Sequence, residues 1–454
     1  MEQAPASPLR LYRWTEGPIL AVAWISFASG VGQFGVVSAL GDVARTFGHL
    51  GSGTTITAEA GLSGTSLGLG LACIRLAALG ALPLAALADR FGRRRMLLTV
   101  CSIGLLITLL AAASPGYWWF VVIFATGRPL LTATNSLCSV SAAEQTSKKD
   151  RATAMALVAG GYGVGAGTTA IVHSLAASTL GFRGICLLAV VPLATLPFVA
   201  RRLEEPERFT QLARATSSTP RARELRGLTA DLSAMDEPTD AALRPNRRAI
   251  FAALEPQYRR RLAIVALIAF FLATVTGPAN TFVYLYAQNV KHLAGIVTAA
   301  MVACAGAAGL FGLILGRWSA DRFGRRVTGM ASMMIVALLA VVTYSGSKVG
   351  LFLGYVAAVG VASVLAPAAG ALSNELFPTE VRASIGGWLA AASVLGAGVG
   401  LIAFGAVADI DNRFGVAAAV TFLPAVLVAL TFFLLPETMG HEPEDMWQVV
   451  IPNL

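Results

Sequence analysis

The sequence predicts an all-α membrane protein: twelve transmembrane helices arranged as two pseudo-symmetric six-helix bundles. Three observations carry the prediction. Apolar residues make up 56% of the 454-residue chain and charged residues only 13%, a balance far from that of a soluble domain. The apolar residues gather into twelve runs long enough to cross about 30 Å of hydrocarbon as helices. One loop sequence also occurs twice at a fixed offset, with six runs in each half.

The runs lie near 18–41, 61–84, 96–113, 117–140, 152–176 and 182–200, and then, after a polar gap, near 262–286, 293–315, 328–345, 349–373, 384–407 and 415–435. They are continuously apolar, whereas strands of a lipid-facing barrel would alternate, so helices are expected. The first run is longer than the core of a signal peptide and lacks a small-residue cleavage site, so it reads as a retained span. The resulting division is an N-terminal bundle at 1–200, a cytoplasmic linker at 201–261, a C-terminal bundle at 262–435 and a cytoplasmic tail at 436–454. The linker carries Ser217-Ser218-Thr219-Pro220 and an acidic pair at Asp236-Glu237 among scattered arginines; it is too short and too polar for a signalling domain.

Charge placement sets the expected orientation. The net charge of +9 would suit nucleic acid if it were clustered on a soluble face, but 27 of the 34 basic residues fall on one side of the predicted topology. With the long linker discounted the ratio is still 14 to 5. The positive-inside rule then places both termini in the cytoplasm and leaves no nucleic-acid partner to infer. Arginine outnumbers lysine 30 to 4, which suggests a GC-rich bacterial genome and hence the bacterial inner membrane. The five cysteines all lie in apolar stretches without a paired motif, so neither disulfides, a metal site nor a cofactor is expected. A monomer in the bilayer, acting on a small molecule, is the expected working unit.

The repeat is the sharpest signal. Ala88-Asp89-Arg90-Phe91-Gly92-Arg93-Arg94 follows the second span, and the same seven residues recur as Ala320-Asp321-Arg322-Phe323-Gly324-Arg325-Arg326 after the eighth. Glu144 precedes Arg151 by seven residues after the fourth span, as Glu375 precedes Arg382 after the tenth. Two landmarks at nearly one offset imply duplicated units of like orientation, which can rock against each other about a central cavity.

These residues resemble the major facilitator superfamily, whose hallmark is an acidic, glycine-containing basic loop after the second helix, here Asp89, Arg90, Gly92, Arg93 and Arg94. Glu375-Leu376-Phe377-Pro378-Thr379-Glu380-Val381-Arg382, Pro436-Glu437-Thr438-Met439-Gly440 and Glu205-Pro206-Glu207-Arg208 are similar to the sugar-porter branch and its metabolite-carrying neighbours. Two sugar-porter features are unmatched: the seventh span has Asn280 and Tyr284 rather than a glutamine pair, and the tenth has no tryptophan. The resemblance implies a transporter and not an enzyme, with a gating network of Asp89, Arg90, Gly92, Arg93, Arg94, Glu144 and Arg151 in one half and Asp321, Arg322, Gly324, Arg325, Glu375 and Arg382 in the other. In physical terms Asp89 is expected to accept charge-assisted bonds from a neighbouring helix, Arg151 and Arg382 to supply partners, and Arg93 and Arg94 to hold the loop at the anionic leaflet.

Inside the spans only Arg75 and Arg128 carry formal charge, with no carboxylate beside them in sequence. A charge at that depth is costly and is functional or paired. Either the two line a cavity suited to a carboxylate or phosphate solute, or they bond backbone carbonyls or reach Asp42 or Glu144. Gln33, Asn135, Asn280, Tyr284 and Trp388 are the further candidates for orienting a solute. Coupling is open between facilitated diffusion and a proton carried by Asp42, Glu144 or His173, the one histidine within a span. The expected function is a secondary or facilitative transporter of a small organic solute working by alternating access; a proton-coupled efflux antiporter is the nearest alternative. An integral-membrane enzyme would show a cluster of catalytic His, Asp or Cys, and the sequence has none.

Overall fold

The computed structural model describes residues 11–49, 61–147, 150–205, 254–377, 379–411 and 413–439. Most of the predicted linker and most of the predicted tail fall outside these. Twelve long helices follow in chain order: α1 (Gly17–Phe47), α2 (Gly64–Leu84), α3 (Arg93–Ala113), α4 (Tyr117–Gln145), α5 (Thr153–Ala176), α6 (Thr179–Arg202), α7 (Pro256–Val290), α8 (Gly295–Phe323), α9 (Arg325–Thr343), α10 (Lys348–Gly370), α11 (Ser384–Ile410) and α12 (Phe414–Leu434). All except α4 are both long and apolar enough to span a bilayer. With 29 residues α4 is long enough, and Arg128 and Asn135 dilute its apolar character. The described residues contain no strand, only a single bridge between Tyr12 and Thr146.

Lipid offers no hydrophobic drive between helices, so close packing rests on small residues that let backbones approach. In the first half a side chain at Gly161 or Gly165 of α5 would strike the backbone carbonyl of Ala23 or Phe27 on α1. In the second, Gly396 and Gly400 of α11 meet the carbonyls of Phe270 and Thr274 on α7 in the same way. The two halves thus repeat one pairing, first helix on fifth. The duplicated loop repeats too: Gly92 and Gly324 both have φ of 91°, a left-handed conformation that lets α2 and α8 reverse directly into α3 and α9.

Between the halves, contacts gather at the face away from the duplicated basic loops. At the start of α2, Gly64 and Gly68 pack on the carbonyls of Gly405 and Leu401 in α11, and Gly295 at the start of α8 packs on the carbonyl of Ser174 in α5. The Asp409 carboxylate of α11 accepts from the Gly64 and Thr65 N–H groups at 2.6 and 2.7 Å and from the Thr65 hydroxyl at 2.6 Å. The same stripe of α5 carries Gly160, Gly163 and Gly167 farther toward the basic loops, and there nothing stands within 4 Å of an added Cβ; Gly386 and Gly387 near the start of α11 are equally open. Among the described residues the bundles therefore meet closely at the far face, while these glycines nearer the basic face are left open.

Candidate functional site

The duplicated loops close on their own halves. Arg93 at the start of α3 pairs with Glu144 at the end of α4 at 3.0 Å, and Arg325 pairs with Glu375 in the second copy. The N-terminus of α3 is capped by Glu205, whose carboxylate accepts from the Arg93 and Arg94 N–H groups at 2.5 and 3.0 Å. Glu437 does the same for the Arg325 and Arg326 N–H groups at 3.0 and 3.2 Å. Arg94 also donates to the Ala200 carbonyl at 2.8 Å and Arg326 to that of Leu435 at 3.0 Å. Carboxylates at a helix start satisfy otherwise orphaned N–H groups and complement the dipole.

This corrects part of the sequence expectation. Arg93 and Arg94 are committed to protein partners, a carboxylate and a carbonyl, rather than standing as anchors to the leaflet. The side chains of Asp89, Arg90 and Arg382 lie outside the described residues. Asp321 is exposed, and Arg322 is exposed with its guanidinium 5.8 Å from the centre of the Trp318 ring. Arg151 is half-buried with its Nε unpartnered. The capping role of Glu205 and Glu437 went unread, although both follow the sixth helix of their half and stand 232 residues apart, the offset of the loops themselves.

The intramembrane candidates separate into three groups. Gln33, Arg128 and Asn135 stitch α1 to α4. Gln33 donates to the Ser29 hydroxyl at 2.7 Å and to the Leu131 carbonyl at 3.1 Å, Asn135 accepts from Ser26 at 3.0 Å, and Arg128 donates to the Gln33 carbonyl at 3.3 Å while its Nε has no partner. In the second half Asn280 turns back to the Thr276 carbonyl at 2.9 Å and borders a water-sized void of about 20 Å³ enclosed by α7, α9 and α10. Tyr284 is buried and meets Phe34 of α1 edge-on at 6.2 Å between ring centres, a contact across the halves. Trp388 is 36% exposed on α11.

Arg75 is the third case. It is partly exposed on α2 and, among the described residues, has neither a hydrogen bond nor an ion pair. Its electrostatic neighbours are Tyr162 of α5, on the glycine-rich stretch beside the cleft, and Arg128. Neither arginine reaches the two carboxylates the sequence offered as partners, because Asp42 is bonded to His173 Nε2 at 2.7 Å and Glu144 to Arg93. Two guanidiniums and a phenol, with no acid, make this part of the first half electropositive. Sequence reasoning does not find Tyr162, and its being the one aromatic in the glycine run 160–167 is the signal that could have.

A family model described as Major Facilitator Superfamily matches residues 22–342 and 300–449. A protein of Haemophilus influenzae provisionally assigned to metabolite transport is 28% identical over 384 residues, which are 80% of this chain and 85% of that protein. Among solved structures, the xylose transporter XylE of E. coli in its inward open conformation superposes with a TM-score of 0.69 at 15% identity, covering 95% of this chain and 99% of that one. The nucleoside transporter NupG superposes with a TM-score of 0.68 at 15% identity, over 92% and 99% of the two chains. At these identities the structural likeness establishes the fold.

Proposed function

Because the chain belongs to the major facilitator superfamily and is a multi-pass membrane transporter of the sugar or metabolite type, we propose that it carries a small organic anion across the bacterial plasma membrane by alternating access. The observation that carries this reading is Arg75, a partly exposed guanidinium that among the described residues has neither hydrogen bond nor ion pair, with Arg128 and Tyr162 as its electrostatic neighbours and no acid among them. An unpaired arginine at mid-span costs about 2.5–3.5 kcal/mol on insertion scales, and a carboxylate or phosphate ligand would offset that cost with paired charge-assisted bonds. Arg128 and Gln33 join α4 to α1 on one side, and Tyr162 of α5 brings a phenol near both arginines. The basic face is taken as cytoplasmic by the loop-arginine bias, so the described conformation is open inward, ready to release solute. Uptake is the proposed direction.

The test is a thermal-shift screen of the purified protein against dicarboxylates, phosphorylated metabolites, sugars and cationic drugs, since a ligand that binds only the folded state raises the melting temperature. Anions are expected to stabilise the wild type. Arg75→Leu is expected to reduce that shift markedly while leaving the ligand-free melting temperature unchanged or higher, because it removes an uncompensated charge. Arg128→Leu should lower the ligand-free value as well, because it removes a bond between α4 and α1. Stabilisation by sugars alone, intact in Arg75→Leu, would overturn the anion reading.

A further inference from the structure

Above the closed end of the cleft lies a second cavity, of about 540 Å³, whose wall is shared by the two halves. Asp42 and Arg45 at the end of α1 and Ser174 of α5 line one side; Gln288, Asn289 and the start of α8 at Gly295 line the other. The lining is short of acceptors and rich in idle donors. Ser174 Oγ, Gln288 Nε2 and Asn289 Nδ2 are buried without a hydrogen-bond partner, and Ser174 and Asn289 are each only 3% exposed.

The local backbone presents these groups. The last five residues of α7, Tyr286–Val290, form a π-turn, a rare irregularity that often marks functional sites, and His292 just beyond has a φ of 48°. Gln288 and Asn289 of this turn both line the cavity, the Asn289 amide lying against Gly41 of α1. The N-cap of α8, Ala294, provides no side-chain bond, so the positive end of that helix dipole opens onto the same space. The one acid on the wall, Asp42, is already engaged by His173.

That engagement fixes the chemistry of the histidine. A carboxylate can only accept, so His173 Nε2 carries the hydrogen shared with Asp42 Oδ2, and in the neutral ring Nδ1 is left with a bare lone pair. His173 is fully buried and Nδ1 has no partner. A proton added there forms an imidazolium beside Asp42, breaks no other bond, and leaves by the same nitrogen. The ionisable groups on the elements around it are Asp42 and Arg45 of α1, and Lys291 and His292 on the turn after α7. Protonation of His173 adds one positive charge to this group.

We infer that this cavity is an outer anion site, where a carboxylate- or phosphate-bearing solute first docks against Asn289, Gln288, Ser174, Arg45 and the α8 N-terminus, and where His173 Nδ1 takes up a proton with it. The inference rests on the solute being an anion. It places proton uptake at the outer gate, outside the Arg75 cleft.

The experiment is calorimetric titration of the full-length purified protein with succinate and, separately, inorganic phosphate, each in two buffers of different ionisation enthalpy so that proton uptake is read directly. The wild type is expected to take up protons as the anion binds, seen as a binding enthalpy that differs between the two buffers. Asn289→Ala and Gln288→Ala should each weaken the proton-linked binding by tenfold or more, and His173→Gln should abolish proton uptake. Arg75→Leu should leave the proton-linked event in place. If Asn289→Ala and Gln288→Ala change nothing while Arg75→Leu removes all binding, the outer site is overturned and the anion reading stands. If neither anion binds the wild type and a neutral sugar does, the anion reading fails and the outer site with it. Succinate binding without phosphate binding assigns the site to carboxylates, and the converse assigns it to phosphates.

Discussion

Asp409 is a cap supplied in trans, from one bundle to the first helix turn of the other, and it exists only while the far face is closed. Asp409→Ala removes three bonds to Gly64 and Thr65, each of 2.6 to 2.7 Å. Hydrogen bonds to a charged group contribute about 1.5–3 kcal/mol when buried. Thr65 is exposed and Asp409 half-buried, so water competes, and the range measured for losing a helix cap, about 0.5–2 kcal/mol, is the better guide. Ser63 also caps α2 by accepting from Ser66 N–H, so the N-terminus is not left bare. Taking about 1.5 kcal/mol, the ratio of far-closed to far-open protein should fall roughly tenfold. Spin labels at Gly116 and Ser345, one on an outer loop of each half, report the change by electron–electron distance measurement, in a background with the exposed Cys73 and Cys304 replaced by serine. A longer-distance population is expected to grow in Asp409→Ala, and Asp409→Asn should fall between. Unchanged distributions in the alanine variant would refute the idea that this contact latches the outer gate.

Three further outcomes are expected. Gly92→Ala and Gly324→Ala each force a left-handed residue, at about 1–2 kcal/mol, and Gly324→Ala should melt lower because its Cβ would also run into the Glu437 carboxylate, whereas the nearest Glu205 atom to a Cβ at Gly92 is 3.4 Å away; melting temperatures of the two variants check the order. Glu205→Ala should cost about 1–2 kcal/mol of stability through the lost cap on α3, with Glu437→Ala matching it on α9, measured by thermal unfolding in detergent. Gly295→Ala puts a methyl into the Ser174 carbonyl and should wedge α8 from α5, raising the reactivity of a cysteine placed at Leu175 toward a membrane-impermeant reagent.

Hydropathy made the spans legible, and the seven-residue repeat made the duplication legible, because both are properties of composition along the chain. The rotation of each helix about its axis was not. Gln33 and Asn135 sit at depths suited to a cavity, yet the glycine stripe that clamps α1 onto α5 leaves Gln33 facing α4, where it bonds the Leu131 carbonyl, and Asn135 of α4 faces back to Ser26 of α1. Asn280 turns back on its own helix, beside the void between α7, α9 and α10. Arg75 and Arg128 were found because charge in a span is conspicuous whatever the rotation. Asp409 could not have been found that way: it stands at a span end, where acids are ordinary, and its partners are 344 and 345 residues away.

The paired carboxylates at Glu205 and Glu437 bear on how the chain is put together. Each sits just past the last helix of its bundle and ties back to the third, so a half fastens itself at the moment its own final segment emerges, before anything downstream exists. The protein is in this respect two knots on one string. Severing the string between 206 and 253 should leave both knots tied, and two co-expressed fragments should find each other in the membrane across the glycine seams and the Asp409 cap.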